Sequence, residues 1–302
     1  MTMRKEATAG FSLIEVMAAI VILGIAMTAV FGTFLFQQQS YTTQVRVAEM
    51  QQNLRDAVET ISRDIRMCTY GIPSNVNIVD NEITSRFLKH VNSTSGPDEI
   101  YVLYRYDGDA AYPSFNVNLA ATASTVTLAS TAGFAAGDRI LVYNATNADL
   151  GRVTAVTSTT TLTLQGGVVN NYSTGATLAL VRYVRYFVDR TTDPAHPTLM
   201  VDRRNGQPPQ PLADDIEDLQ FRYSMDTNGD GILEVVDSDA VGGNAPFVRQ
   251  VRVHLLARSR ITQMGWVDTG NRNMADHLPG VANDGYRRRR TEMVVDVRNS
   301  SF

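Results

Sequence analysis

Apolar residues fill one long segment near the start of the chain. Between Phe11 and Phe36 the sequence carries a single charge, at Glu15. A helix of about 26 residues rises about 39 Å, whereas the hydrocarbon core of a bilayer is about 30 Å thick. The pattern therefore predicts a helix over residues 11–36 that spans a membrane with some tilt.

The apolar pattern then narrows to a stripe at spacings of three and four residues. The stripe runs through Val47, Met50, Leu54, Val58, Ile61, Ile65 and Cys68. The residues that fall off it are polar and suit water: Arg46, Gln52, Arg55, Glu59 and Arg63. Such a stripe is typical of a helix with one buried face. Because no proline occurs before Pro73, we predict one helix from Phe11 to about Met67, whose second half (residues 37–68) is amphipathic and packs on a sheet.

Beyond Pro73 the pattern changes to near-alternation of β-branched or aromatic residues with polar ones. Six segments show it: Glu99–Tyr106, Leu180–Val188, Thr198–Asp202, Ile216–Met225, Val248–Arg258 and Thr291–Val297. Alternation of this kind predicts half-buried strands. One long helix followed by a run of strands indicates an α+β fold, with a globular β-rich domain over residues 69–302 built on an antiparallel sheet.

A stretch of different composition interrupts the predicted strands. Ala120–Gly167 is rich in Thr, Ala, Ser and Val, carries few charges and contains several short strand-like runs. We predict a small all-β module inserted at residues 115–180, between the first and second core strands and exposed on the outer surface. Its sequence indicates no particular partner.

Glu15 and the residues before it change the interpretation of the apolar segment. A charge at the centre of a spanning helix costs about 2.5–3.5 kcal/mol, so an intramembrane carboxylate is functional by default. The first ten residues are polar and net basic, with Arg4 and Lys5 against Glu6, and have no apolar h-region of their own. An ordinary secretory signal loses its apolar stretch on cleavage. Here the predicted cleavage lies before that stretch, so residues 1–10 form a leader and the mature chain keeps its helix.

Residues 10–16, Gly-Phe-Ser-Leu-Ile-Glu-Val, together with the apolar run behind them resemble the N-terminal signal of type IV prepilins and type II secretion pseudopilins. The resemblance implies that a prepilin peptidase/N-methyltransferase cuts between Gly10 and Phe11 and methylates Phe11. It implies that Glu15 is the assembly residue. It also implies the type IV pilin fold, in which a long N-terminal helix packs on an antiparallel sheet.

Three later segments resemble those of PilW-type minor pilins. They are Ile216–Tyr223 with the Asp-Thr-Asn-Gly-Asp-Gly that follows, Val248–Ser259, and Tyr286–Ser300. The minor pseudopilins of the GspJ type share much of this plan and are the nearest family with which it can be confused. The resemblance covers the N-terminal helix and the last third of the chain, and the inserted module lies outside it.

The loop after the predicted strand Ile216–Met225 has the ligand spacing of an EF-hand-type calcium loop. Oxygen donors stand at positions 1, 3, 5, 7, 9 and 12, the seventh through a backbone carbonyl: Asp226, Asn228, Asp230, Ile232, Glu234 and Asp237. Glycine at position 6 permits the tight turn. Asp237 is shorter than the usual Glu, and a strand precedes the loop, so we predict an isolated calcium loop that leaves a strand. The alternative is a polar hairpin turn, which Asn-Gly and Asp-Gly pairs also favour.

Composition narrows the possible functions. The net charge of −4 argues against nucleic acid as a main partner, and we interpret the run Arg287–Arg290 as a solvated edge or a subunit contact. Cys68 is the single cysteine, which excludes an intramolecular disulfide, and we expect it to be buried on the helix stripe. We predict no enzymatic activity, since no nucleophile motif accompanies the four widely spaced histidines: His90, His196, His254 and His277.

The resemblance implies a minor pilin that takes part in type IV pilus assembly, in a tip or priming complex, after its leader is removed. Its expected partners are other major and minor pilins, the prepilin peptidase, the inner-membrane assembly platform and, before assembly, membrane lipid. Its expected location is the inner membrane, with a periplasmic domain, and then the extracellular pilus. Two alternatives stay open: a GspJ-like pseudopilin of a type II secretion system, and a calcium-dependent pilus-borne adhesin that displays the inserted module.

Overall fold

A single long helix begins the structure, a computed structural model that describes residues 12–106 and 118–298. Helix α1 spans Leu13–Met67 without interruption. The predicted start at Phe11 lies outside the described residues. The chain forms two compact units, residues 1–49 and residues 50–302, so α1 contributes to both.

The part of α1 in the first unit leaves its apolar side chains uncovered. Ile14 is 77% exposed and Phe36 is 72% exposed, and every described residue from Ser12 to Phe36 is exposed. By length and composition this is the one helix among the described residues that could cross a membrane. An apolar surface of this size in water would carry a large hydrophobic cost, so lipid or other protein chains must cover it.

The part of α1 in the second unit is amphipathic, as its periodicity predicts. Its buried residues are Met50, Leu54, Ala57, Val58, Ile61, Ser62 and Ile65. Arg55, Glu59 and Arg63 are exposed on the opposite face. Cys68 is buried directly after the helix, and burial raises the pKa of its thiol to about 12, so it behaves as a small apolar side chain.

Strands make up most of the remaining described residues. They are β1 (Val76–Ile78), β2 (Lys89–Val91), β3 (Glu99–Arg105), β4 (Thr125–Thr127), β5 (Arg139–Tyr143), β6 (Ala148–Ser158), β7 (Thr161–Leu164), β8 (Thr177–Asp189), β9 (Thr198–Asp202), β10 (Gln210–Ala213), β11 (Ile216–Met225), β12 (Val235–Ser238), β13 (Val248–Arg258) and β14 (Arg288–Asp296). A 3-10 helix, Gly242–Phe247, precedes β13. The fold is α+β, as predicted.

The strands form two sheets. Ten strands belong to the first, whose main path runs β10-β9-β8-β5-β6-β7-β4, with β3 also paired to β8, β2 to β3 and β1 to β6. Four strands form the second, in the order β12-β11-β13-β14. All pairs are antiparallel except β1 with β6. All six predicted core strands are present, three in each sheet, so the predicted antiparallel strands are divided between two sheets.

The predicted inserted segment is all-β and has an apolar core of its own. Strands β4 to β7 enclose buried side chains that include Val126, Leu128, Val153 and Leu162. The segment does not form a separate sheet, because β5 pairs with β8 over five residues, from Arg139↔Val181 to Tyr143↔Thr177. It therefore extends the first sheet, and the module boundaries at 115 and 180 stay a prediction.

Asp64 joins the second half of α1 to the first sheet. Its carboxylate accepts hydrogen bonds from the hydroxyl of Tyr104 at 3.0 Å and from that of Tyr186 at 2.7 Å. Burial and the Asp64 carboxylate raise the pKa of Tyr104 to about 12 and hold the pKa of Tyr186 well above its ordinary value. The folded state therefore keeps these two phenolic protons more tightly than the unfolded chain does.

This difference predicts a loss of stability in alkali. The contribution of the two tyrosines is fully present below their ordinary pKa of about 10 and is lost as the pH rises above it, by up to about 1.4 kcal/mol per pH unit for each tyrosine. Urea unfolding of the full chain in detergent micelles, between about pH 8 and about pH 11, measures the loss. The double variant Tyr104→Phe/Tyr186→Phe should lose less over that interval, with Tyr41→Phe at an exposed position as control. If the double variant lost as much stability as the wild type, Tyr104 and Tyr186 would not be the cause of the alkaline loss.

Candidate functional site

Glu15 lies in the first turn of α1, at the start of the exposed apolar segment. The carbonyl of Ser12 accepts hydrogen bonds from the N–H groups of Glu15 and Val16, at 3.1 and 3.2 Å, and so begins the helix. An acidic residue in a first turn is favoured by the helix dipole. Gly10 and Phe11, the predicted cleavage residues, lie outside the described residues.

The predicted calcium loop connects β11 to β12. Asp226 follows the last residue of β11 and is 2% exposed, whereas Asn228, Asp230 and Glu234 reach solvent. The Asp226 carboxylate accepts hydrogen bonds from the N–H groups of Gly229 at 2.6 Å and Gly231 at 3.2 Å. These bonds fold the loop back over its first residue, because a carboxylate at the start of a turn satisfies the amides that follow it.

Three of the predicted ligands converge. Carboxylate oxygens of Asp226, Asp230 and Glu234 all lie within 4.8 Å of one another. Calcium binds oxygen at 2.3–2.6 Å, so two oxygens on the same ion lie at most about 5.2 Å apart. The spacing of the three carboxylates therefore fits a shared calcium ion.

The other predicted ligands are placed differently. The Asn228 side chain lies beside Asp230, to which its Nδ2 donates at 3.1 Å, and the N–H of Ile232 donates to Asp230 at 2.8 Å. Asp237 is not brought to the cluster. Its carboxylate pairs with Arg222 at 2.7 Å and with Arg252 at 3.0 Å, on the face of the second sheet.

The surroundings of Asp226 favour its ionised form. Burial opposes its ionisation, but the hydrogen bonds from the Gly229 and Gly231 amides and the charge of Arg249 together hold the pKa of Asp226 below its ordinary value. Arg249 Nε lies 3.3 Å from Asp226 Oδ2, so this guanidinium would share the carboxylate with a bound ion. The carboxylate is therefore charged at neutral pH with one positive neighbour at its edge.

Ion pairs that the sequence did not indicate cover one face of the second sheet. Arg222 on β11 pairs with Asp239 at 2.8 Å as well as with Asp237, and Arg252 on β13 pairs with Glu292 on β14.

Each of the four histidines faces one carboxylate: His90 with Asp98, His196 with Asp215, His254 with Glu292 and His277 with Asp218. The histidines are thus distributed among separate pairs.

Two family models match the chain. Residues 7–31 match the prokaryotic N-terminal methylation motif, which covers the predicted cleavage point, Glu15 and the start of α1. Residues 185–299 match PilW, the type IV pilus-assembly protein W, from within β8 to beyond β14. Together these two matches support a type IV pilin of the PilW type. The PilW match includes the carboxylate loop and the whole second sheet, and the predicted inserted module lies outside it.

Among solved structures, this PilW-type pilin is similar to a type IV-like pilin from Thermus thermophilus. The two share 13% sequence identity over 82% of this chain and 96% of the other, with a TM-score of 0.41. A score this low carries no structural conclusion, so the assignment rests on the two family matches. No curated protein matches the chain at a significant level. The methylation motif on the exposed apolar helix supports membrane anchoring and implies interaction with a prepilin peptidase and other pilins.

Proposed function

We propose that this PilW-type pilin is a minor subunit that joins a tip or priming complex of the type IV pilus. Before assembly α1 would hold it in the inner membrane, with the β-rich domain in the periplasm. The observation that supports this most is the fully exposed apolar half of α1 with Glu15 in its first turn. When the subunit leaves the membrane, this apolar surface must be covered by something other than lipid, and a bundle of equivalent pilin helices would cover it.

Glu15 would set the axial position of the subunit when its helix moves from lipid into the bundle. In a bundle of pilin helices, its carboxylate would approach the positive N-terminal amine of a neighbouring subunit, which after cleavage is the amine of Phe11. A paired charge is much less costly in an apolar medium than a lone one. The correct axial position of each subunit is then the one that pairs Glu15, and other positions leave a carboxylate buried alone.

The function is tested by deleting the gene and assaying pili and protein secretion in the same strain. We expect few or no surface pili with normal secretion of folded exoproteins, and restoration of pili by the wild-type gene. Normal pili with failed secretion would instead identify a type II secretion pseudopilin, and our proposal would be wrong.

We also propose that the loop Asp226–Glu234 binds calcium. The ligands would be the carboxylates of Asp226, Asp230 and Glu234, the Asn228 side chain and the Ile232 carbonyl. Asp237 would not take part, because its two arginine partners occupy it. A bound ion would tie the end of β11 to the start of β12 and so stabilise one edge of the second sheet.

Calcium should therefore raise the melting temperature of the wild-type protein. At about 100 times its dissociation constant, an ion that binds only the folded state adds about 2.7 kcal/mol to the free energy of unfolding. Melting curves of the full chain in detergent, with calcium or with a chelator, measure the shift. Asp230→Asn should abolish it, while Asp237→Asn and Asp239→Asn should retain it. A shift that survives Asp230→Asn but not Asp237→Asn would contradict the proposed ligand set.

A further inference from the structure

β14 is the terminal strand of the second sheet, and its outer edge is unpaired by any described strand. The N–H of Val297 donates to Arg249 at 2.8 Å and the N–H of Ser259 donates to Arg287 at 2.7 Å. Both bonds belong to the regular β13–β14 register, in which bonded pairs alternate. The odd-numbered residues of β14 therefore bond to β13. The even-numbered ones direct their backbone groups outward: Arg288, Arg290, Glu292, Val294 and Asp296.

This edge differs from the other terminal strands among the described residues. β1, β2 and β4 have three residues each, β10 has four and contains Pro211, and β12 has four and pairs with β11 through a register shift. Short strands, proline, irregular pairing and charged side chains are the usual means of blocking an edge. β14 has nine residues and an unbroken register with β13, so of these four means only charged side chains apply to it.

A groove of about 630 Å³ runs beside this edge. It is lined by α1 residues, including Arg55 and Glu59, and by β14 residues from Arg289 to Met293. The hydroxyl of Ser62 on α1 donates to the sulfur of Met293 at 3.0 Å. Because side chains alternate along a strand, Arg289, Thr291 and Met293 share the face toward α1.

The groove is positively charged although the whole chain carries −4. The guanidinium groups of Arg55 and Arg289 face the single carboxylate of Glu59 there. Neither Arg55 nor Arg289 makes an ion pair with any described residue. These arginines oppose pairing of β14 with another basic strand, since like charges on facing strands are destabilising, and they favour an acidic one.

We propose that β14 receives an extended acidic segment of a neighbouring pilin subunit, which adds to the second sheet as a fifth strand. Its backbone would bond to the outward groups of four even-numbered residues: Arg290, Glu292, Val294 and Asp296. Its carboxylates on the helix side would face Arg55 and Arg289. Its residue opposite Val294, which is 45% exposed, would be apolar. This inference rests on the proposed function, because it takes the partner to be another pilin.

Amide hydrogen exchange on the wild-type chain tests the proposal. The amides of Arg290, Glu292, Val294 and Asp296 should exchange freely in the purified chain in detergent micelles. In sheared pili we expect them to be protected at least about tenfold, whereas the amides of Thr291, Met293 and Val295 are protected in both samples. The alternation between neighbouring residues distinguishes strand addition from general burial of the region.

Two pairs of variants test the backbone and charge contributions. Val294→Pro removes an outward N–H but no bond to β13, and it should lower the amount of protein in sheared pili at least about tenfold, while Val294→Thr should not. The double reversal Arg55→Glu/Arg289→Glu should also lower it. Arg63→Glu, on the same helix but outside the groove, is the charge control. Melting temperatures in detergent verify that each variant is folded.

The possible failures are distinguishable. A wild-type chain that is present in sheared pili with its four outward amides unprotected would overturn the strand addition and leave the proposed function intact. Absence of the wild-type chain from sheared pili would contradict both the strand addition and the proposed function. Protection that appears in the purified chain as its concentration is raised would make a second copy the occupant, and the acidic partner would be wrong.

Discussion

Glu15→Ala is expected to reduce the amount of this PilW-type pilin in sheared pili by more than about a hundredfold. Removing one partner of a buried ion pair costs about 3–5 kcal/mol, and each 1.4 kcal/mol is about tenfold in an equilibrium. The neighbouring subunit's amine would be left in an apolar bundle without its carboxylate. The core of the β-rich domain lies within residues 50–302, so its melting temperature should not change.

The measurement compares immunoblots of sheared pili and of membranes for each variant. Glu49→Ala is the matched control, because Glu49 is an exposed carboxylate on the same helix beyond the apolar run. We expect this control to assemble like the wild type. If Glu15→Ala were present in sheared pili in wild-type amounts, the ion pair between Glu15 and the neighbouring amine would not be required for incorporation.

Arg139→Met is expected to be the most destabilising of the charge substitutions considered. Arg139 is 2% exposed, and its Nε lies 2.7 Å from Oδ2 of Asp80, which is also 2% exposed. Its Nη2 contacts Glu82 at 2.6 Å. The substitution leaves Asp80 buried without this ion-pair partner, which costs about 3–5 kcal/mol. Urea unfolding of the full chain in detergent measures the loss.

Arg152→Met is the matched control for this prediction. Arg152 contacts the same Glu82 at 2.8 Å, but both side chains are more than a quarter exposed. Exposed pairs contribute about 0–1 kcal/mol, so this variant should lose little. Adding Asp80→Leu to Arg139→Met should recover part of the loss, since it removes the unpaired charge. Equal losses in Arg139→Met and Arg152→Met would show that burial of the pair is not the cause.

The sequence predicts those parts of the fold that depend on local periodicity. The stripe from Met50 to Cys68 and the alternation in Val248–Arg258 each report a buried face without knowledge of what covers it. The division into two sheets depends instead on pairing across large sequence separations, such as β3 with β8 and β11 with β13. A single strand pattern does not specify its neighbour, so the second sheet could not be predicted.

The candidate sites show the same limit. Asp226, Asp230 and Glu234 lie within nine residues, so their convergence follows from the loop spacing alone. Asp237 belongs to the same pattern, but Arg222 and Arg252 come from two strands that meet only in the folded sheet, and they take its carboxylate. The groove beside the arginine run at residues 287–290 likewise forms only when β14 packs beside α1, so the run alone could not predict it.

We propose that this chain is processed as a prepilin and incorporated into type IV pili. Mass spectrometry of sheared pili tests it directly by reading the N-terminal peptide of the protein. We predict a mature chain that begins at Phe11 with a methylated amine and lacks residues 1–10. A chain that keeps its first ten residues, or that is absent from sheared pili while present in the membrane, would contradict the account.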